Sequence, residues 1–475
     1  MKVKLSRRGV CLFAFYFLLA FPFCFYYWVS TSFFKIAENG SVLSPLFVHI
    51  FANIVDGATP ELVRKFISYC VLLPLLISGL GAYASVRSGW IWRGGAVGLY
   101  LFALLAAHSY IKMQPADKEI IKSMFAPPST FYEENYVAPA DVNITFGEKR
   151  NLVLVILESV DLEFANAELL GRNAIPRLHA MYKENPHAEG YSDLPGMNFT
   201  IGGITGIMCG VPLNYVGNSG AFLKGSGILP NAVCVAEILR GGGYVTGMAI
   251  ASTGEFSGKR HFAEMHGFEH VWDGISLREA HPEISEDKYF WGGVEDETTL
   301  KYAFENIAAL KKSGKPYFVA VETVNTHSPF YISESCAENW GERKGGLVDA
   351  VACNDKVIGD FIDKVRRLDP TAAVLVVSDH NLMSPPDEFA NRQNRWLVNF
   401  MINSSRPVRA ERRVAAFDWF PTLVEMAGGR MKGRRLGLGT SVFSDVPNVL
   451  ERYPEGIDAL LVRKNLLYMR LMGVK

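Results

Sequence analysis

Four residues have types and positions that could do chemistry together. Glu158 closes the apolar run NLVLVILE (151–158), and Asp379 and His380 follow the run AAVLVVS (372–378). Two carboxylates and an imidazole suit a divalent cation such as Mn²⁺, Zn²⁺ or Mg²⁺. Each alone has a plainer role, since a Glu ending a strand commonly caps it or forms an ion pair, and a loop His is commonly solvated. Their convergence on strand ends is what makes a metal site the better reading. The fourth residue is Thr200, in PGMNFTIGGITGIMCGVPL (195–213), where the chain could enter a helix. A hydroxyl there sits beside free N–H groups that attract an incoming phosphate. A metal contact would also lower its pKa and make it a nucleophile. The plainer alternative is an N-cap threonine.

These residues need a scaffold that brings distant segments to one edge. Continuous apolar runs recur at 151–158, 244–251, 317–324, 372–378 and 396–402. Such runs read as strands buried on both faces. Helical patterns fall between them at 174–183, 231–241, 297–312, 346–366 and 416–427. The alternation predicts an α/β domain over 149–445, a mostly parallel sheet sandwiched by helices. Sites in such sheets form at the carboxyl ends of the strands. Glu158, Thr326–His327–Ser328–Pro329 and Ser378–Asp379–His380–Asn381 all stand there.

The chain has 475 residues with 48 basic and 48 acidic side chains, so no basic excess points to nucleic acid. It is 49% hydrophobic, and the excess lies near the start. Residues 9–34, 66–86 and 94–111 are apolar and uncharged, which predicts an anchor of about three transmembrane helices over 1–111. The first is too long for a signal peptide and lacks a small-residue cleavage site. The shorter run 44–55 reads as interfacial. Lys2, Lys4, Arg7 and Arg8 before the first span, and Arg87 and Arg93 between the last two, put those loops in the cytoplasm and everything after residue 111 outside it. Residues 112–148 carry four prolines and read as a linker with a short helix. The tail, 446–475, has an amphipathic pattern and reads as a peripheral helix.

Four cysteines, Cys209, Cys234, Cys336 and Cys353, follow residue 111. An even number in an exported domain fits two disulfides. Proximity favours Cys209–Cys234 and Cys336–Cys353, though three pairings are possible.

The order Glu158–Ser159, Asn198 to Leu213, Thr326 to Pro329 and Ser378 to His380 resembles the alkaline-phosphatase/sulfatase superfamily. It is most similar to the branch of lipoteichoic acid synthases and of the phosphoglycerol transferases that modify osmoregulated periplasmic glucans. The stretch FTIGGITGIMCGVPL, with its Cys-Gly-x-Pro-Leu ending, carries much of that likeness. The resemblance implies one Mn²⁺-like ion on Glu158, Thr200, Asp379 and His380. It implies attack by Thr200 on phosphatidylglycerol, a glycerophospho-threonine intermediate and transfer to a cell-envelope glycan, on the periplasmic side of a bacterial inner membrane. His327 would contact the phosphate or pass protons. In FSGKRHFAEMHGFEHVW (256–272), Lys259 stands where an arginine is usual and Phe256 could stack near the glycerol. Ile250 departs from a position that tends to be polar.

Two rival readings share these features. A phosphoethanolamine transferase acting on lipid A or glycan has the same anchor, fold and threonine. An inactive lipid- or glycan-binding relative is the other, although the intact Glu–Thr–Asp–His set argues against it. No C/S-x-P-x-R motif of sulfatases lies near Thr200. His261, His266 and His270 read as surface residues of a helix-like stretch rather than a second metal site. Gly241–Gly243 reads as a helix C-terminal turn, and Asp418 as a helix N-cap.

Overall fold

The computed structural model describes residues 126–213, 227–336, 346–382 and 387–473 apart from 390, 391, 393 and 405, with a few isolated residues upstream. The chain divides into two compact units, and the unit containing Glu119–Leu382 and Pro386–Lys475 holds every element described below. The spans expected at 9–34, 66–86 and 94–111, and the segment 44–55, lie almost wholly outside the described residues. Among the described residues no helix is long and apolar enough to cross a membrane.

The central sheet has six strands: β1 (Leu152–Leu157), β2 (Val245–Ile250), β3 (His270–Trp272), β4 (Tyr317–Glu322), β5 (Ala373–Ser378) and β6 (Asn399–Ile402). Their order is β6-β5-β1-β4-β2-β3. All neighbours are parallel except β6, which runs antiparallel to β5. β1 is fully buried, and the strand period of two divides its side chains between two cores. Leu152, Leu154 and Ile156 join one cluster, and Val153, Val155 and Leu157 join the other.

Helices among the described residues include α1 (Pro176–Glu184), α2 (Thr200–Cys209), α3 (Val235–Gly241), α4 (Lys259–Met265), α5 (Asp296–Lys312), α6 (Leu347–Leu368), α7 (Trp419–Met426), α8 (Val449–Arg452), α9 (Ile457–Val462) and α10 (Leu466–Leu471). Helices α2, α3, α4 and α7 bury side chains in the first cluster, and α1, α5 and α6 in the second. The five expected strands and the five expected helical stretches all match elements. Two features differ. β3 lies in a stretch read as helical, because three residues on a sheet edge leave no periodicity. β6 begins at Asn399, because the Trp396 carbonyl and the Leu397 N–H bond with Leu162 and Tyr191, and Val398 divides its bonds between Val160 and Ser378 of β5.

The stretch read as a linker is built into this fold. Residues Ile144–Phe146 pair antiparallel with Gly429–Met431, and Phe131 and Tyr132 are buried. The tail forms α8, α9 and α10 rather than one peripheral helix, and Leu461, Tyr468 and Met472 are buried in the first cluster. The two stretches meet where the Tyr132 hydroxyl donates to the Leu461 carbonyl at 3.1 Å.

The described cysteines form two disulfides, Cys209–Cys234 and Cys336–Cys353. Gly242 and Gly243 close α3, with Gly243 at φ 85°, as the glycine run predicts. Asp418 precedes α7, but its carboxylate faces backwards. It accepts from Ala415 N–H at 3.1 Å and Thr440 N–H at 2.8 Å, so it ties two loops together instead of capping its own helix.

Candidate active site

Glu158 leaves β1 directly and is 2% exposed. Ser159 after it adopts φ 57°, a sharp turn that ends the strand. The Glu158 N–H donates to Thr323 Oγ1 at 3.0 Å, and Thr326 Oγ1 donates to its carbonyl. The end of β4 therefore clamps the end of β1. On the other side, Asp379 N–H donates to the Leu157 carbonyl at 3.1 Å. Asp379 Oδ1 accepts from the N–H groups of Ser159 at 2.9 Å and His380 at 2.7 Å. Parallel pairing thus places these side chains together at one edge.

Thr200 is the first residue of α2 and follows Phe199, which is extended. Three glycines let α2 approach closely. A Cβ on Gly203 would lie 2.5 Å from the Asp379 carbonyl oxygen, and one on Gly202 would lie 2.4 Å from the Gly196 carbonyl oxygen. At Gly206 it would meet Met197 and Ala416. The Cys209–Cys234 disulfide ties the far end of α2 to the start of α3. The Thr200 hydroxyl donates to Glu158 Oε2 at 3.2 Å and lies 3.4 Å from His380 Nε2.

The His380 tautomer follows from its neighbours. Nδ1 donates to the Asn381 carbonyl at 2.7 Å, and a carbonyl can only accept. Nε2 faces Thr200, Asp379 Oδ2 at 3.5 Å and Glu158 Oε1 at 3.7 Å, and in the neutral ring it carries the lone pair. Burial pushes the Asp379 carboxyl up to about 7, against the pull of His380 and with help from Glu158. Burial also works to raise Glu158, but His380 and then His327 hold it below its ordinary range. Burial would lower His380, and the two carboxylates overcome it and raise it.

Asp379 Oδ2 is buried without a hydrogen-bond partner. Ligand atoms of Glu158, Asp379 and His380 all lie within 4.8 Å of one another. An orphaned carboxylate oxygen, a second carboxylate and an imidazole lone pair facing one point fit a divalent cation with oxygen and nitrogen donors. A second grouping, Cys209, Cys234 and His266, does not fit. Its sulfurs are joined to each other, and His266 nitrogens face the Ile228 carbonyl at 2.8 Å and Glu237 at 3.2 Å. His266 is nevertheless 1% exposed, which corrects its reading as a surface residue. His261 and His270 are exposed.

Lys259 differs from a free, substrate-facing cation. It is 2% exposed, and its ammonium donates to Glu322 and Ser252. The cause is Glu322, which ends β4 as Glu158 ends β1 and needs a counter-charge when buried. Glu322 was readable by the same rule, as a charge closing the apolar run YFVAVE. Lys259 Nζ lies 5.8 Å from the Phe256 ring centroid, and Phe256 in turn lies 5.5 Å from the ring of Trp291. Trp291 contacts the ring of His327 at 4.4 Å. Trp291 is absent from the sequence-based candidates, and its only signal was the Trp-Gly-Gly turn.

Residues 150–429 match the family model described as Sulfatase. The chain belongs to the sulfatase family. The matched span runs from the start of β1 to just beyond α7 and includes every candidate residue above. Among curated relatives, phosphoglycerol transferase I of Salmonella paratyphi B and of Salmonella typhimurium are each 28% identical over 428 residues, covering 86% of this chain and 54% of theirs. The chain thus spans about half the length of the curated relatives it matches. An alkaline phosphatase superfamily protein from Vibrio parahaemolyticus superposes with TM-score 0.51 at 20% identity, over 64% of this chain and 72% of that one. The integral membrane lipooligosaccharide phosphoethanolamine transferase A of Neisseria meningitidis gives TM-score 0.50 at 16% identity, over 89% and 84%. These two likenesses establish the shared fold.

Proposed function

We propose that the protein is a phosphotransferase that moves glycerol phosphate from phosphatidylglycerol to a hydroxyl of a cell-envelope glycan through Thr200. The observation that carries this is the placement of the Thr200 hydroxyl at the start of α2, partly open to solvent, against buried Glu158 and His380. The name of the Salmonella relatives supports glycerol phosphate as the group moved. The apolar segments at 9–34, 66–86 and 94–111 support an inner-membrane anchor near a lipid donor, with the catalytic unit on the periplasmic side.

In the first step Thr200 Oγ1 bonds to phosphorus and the phosphorus–oxygen bond to diacylglycerol breaks. The proton lost by threonine ends on the released alcohol. In the second step a glycan hydroxyl bonds to phosphorus, the bond to Thr200 breaks, and the hydroxyl proton returns to Oγ1. The first-turn N–H groups of α2 have no acceptor within the helix and face negative charge favourably. His327 can hold a proton between donor and acceptor oxygens. Phe256 borders the donor head group, and Lys259 behind it acts at a distance, its charge largely offset by Glu322. Glu158, Thr200, Asp379 and His380 would hold one divalent ion, Mn²⁺ as first choice, with Mg²⁺ and Zn²⁺ sharing the donor preferences. When bound, that ion supplies positive charge favouring the ionised hydroxyl and the phosphate oxygens.

The test is release of diacylglycerol from labelled phosphatidylglycerol by the purified chain with Mn²⁺, wild type against Thr200→Ala. Release by wild type alone is expected. Turnover of phosphatidylethanolamine instead would make the protein a phosphoethanolamine transferase. Silence on both lipids would overturn the enzymatic reading.

A further inference from the structure

We infer that Trp291 is a positioning residue that holds the His327 ring in the orientation that keeps its Nδ1 on the Ser328 carbonyl, an inference that rests on the transferase reading above. Trp291 forms the tip of a short hairpin whose strands are Tyr289–Phe290 and Gly293–Val294. Trp291 and Gly292 have φ 51° and 65°. Two left-handed residues at a hairpin tip suit Asn-Gly or Gly-Gly. A bulky residue there goes against its backbone preference, and such positions gather at functional sites.

The hairpin is held firmly. A Cβ on Gly293 would come within 2.0 Å of the Ala251 carbonyl oxygen, so the strand lies against the chain leaving β2. The Val294 N–H donates to that carbonyl at 2.8 Å, and the Thr253 N–H donates to the Trp291 carbonyl at 3.2 Å. The strain is therefore paid within a rigid frame, and what it delivers is the indole.

That indole is partly buried but belongs to none of the core clusters. Its Nε1–H donates to the Ser328 carbonyl at 2.9 Å. His327 Nδ1 lies 2.9 Å from the same oxygen, whose two lone pairs accommodate both donors. The proton is thus on Nδ1. Nε2 makes no hydrogen bond among the described residues and is the nitrogen left for the reacting oxygens. The two rings meet at 69° with centroids 4.4 Å apart, so the indole walls one side of the imidazole. Phe256 backs the indole at 5.5 Å. Without that wall the imidazole can turn away from the Ser328 carbonyl, and only then can its two nitrogens exchange roles.

The experiment is a double-mutant cycle on phosphatidylglycerol turnover with wild type, Trp291→Ala, His327→Ala and the double variant, joined by Trp291→Phe. Trp291→Ala should lower kcat about tenfold or more, within the range that a misplaced proton-transfer group forfeits, with KM little changed. It should have no further effect once His327 is alanine. Trp291→Phe, which keeps a ring but loses the N–H, should fall between and serves if the alanine variant does not fold. Equal losses in both backgrounds, or a raised KM with unchanged kcat, would overturn the inference and make Trp291 a substrate contact. Nitrogen-15 chemical shifts of His327 give a readout independent of turnover. They should report the Nδ1–H tautomer in wild type and in Trp291→Phe, which keeps the ring wall, and a mixture in Trp291→Ala; a mixture already present in wild type, or none in Trp291→Ala, would overturn the inference even if the donor lipid proves different.

Discussion

Asp379 and Thr200 show how differently the site treats its members. Asp379 is fully buried with one oxygen unpartnered, whereas Thr200 is partly open to solvent. The unpartnered oxygen has a specific consequence. Asp379→Asn keeps an acceptor for the Ser159 and His380 N–H groups but removes the charge facing Glu158 and His380. Metal affinity should fall by more than the roughly 10–100-fold typical of losing an outer-shell partner, while the fold persists. Elemental analysis after dialysis checks this, and metal retained at wild-type stoichiometry would contradict it. At this scale the sequence was legible where chemistry follows from strand ends. Glu158, Asp379 and His380 announce themselves as polar residues closing apolar runs. Lys259 and His266 did not, because their partners, Glu322, Glu237 and the Ile228 carbonyl, come from other segments. Spacing along one segment carries no information about what folds against it.

Among the elements, α2 decides whether the site exists. Its glycines weaken it as a helix, and they are tolerated because Gly203 rests against the Asp379 backbone. Gly203→Ala must push α2 away from β5. We expect about 1–3 kcal/mol of destabilisation, the usual cost of overpacking, and a loss of turnover larger than that stability change explains. Melting temperature and phosphatidylglycerol turnover measured together check this, and wild-type turnover would show that the Thr200–Asp379 spacing is not critical. The long buried strands were legible because parallel strands covered on both faces are apolar throughout. β3 and the tip at Trp291 were not, since two or three residues cannot display a period.

At the largest scale, the described segments flanking the matched family region, 126–149 and 430–473, belong to the same compact unit as that region. Residues Phe131 and Tyr132 and the helices α8, α9 and α10 complete the first core cluster. Proline content made the first look like a linker, and long-range burial, which composition does not report, made it structure. The buried carboxyls give the unit a pH signature. Burial pushes Asp296 up to about 8, Asp418 to about 7 and Asp355 to about 6. The folded state keeps protons that the unfolded chain releases near pH ~4, so these groups lose stability as pH rises from there through about 8. Asp273 acts oppositely. Despite burial, Arg260 holds it low, so its stabilisation is present above pH ~4 and is lost as pH falls below that. The metal-saturated chain should therefore melt higher at pH ~5.5 than at pH ~8.5, and Asp418→Asn should narrow the gap. A melting temperature that rises across that interval would contradict the burial argument.

The central claim is that Thr200 carries the transferred group. Its most direct test is mass spectrometry of peptides from the metal-loaded chain, quenched after mixing with phosphatidylglycerol in the absence of glycan. The account predicts one glycerophosphoryl group on Thr200, absent from Thr200→Ala and lost when glycan is added. Diacylglycerol released with no adduct on Thr200, or an adduct on another residue, would contradict it.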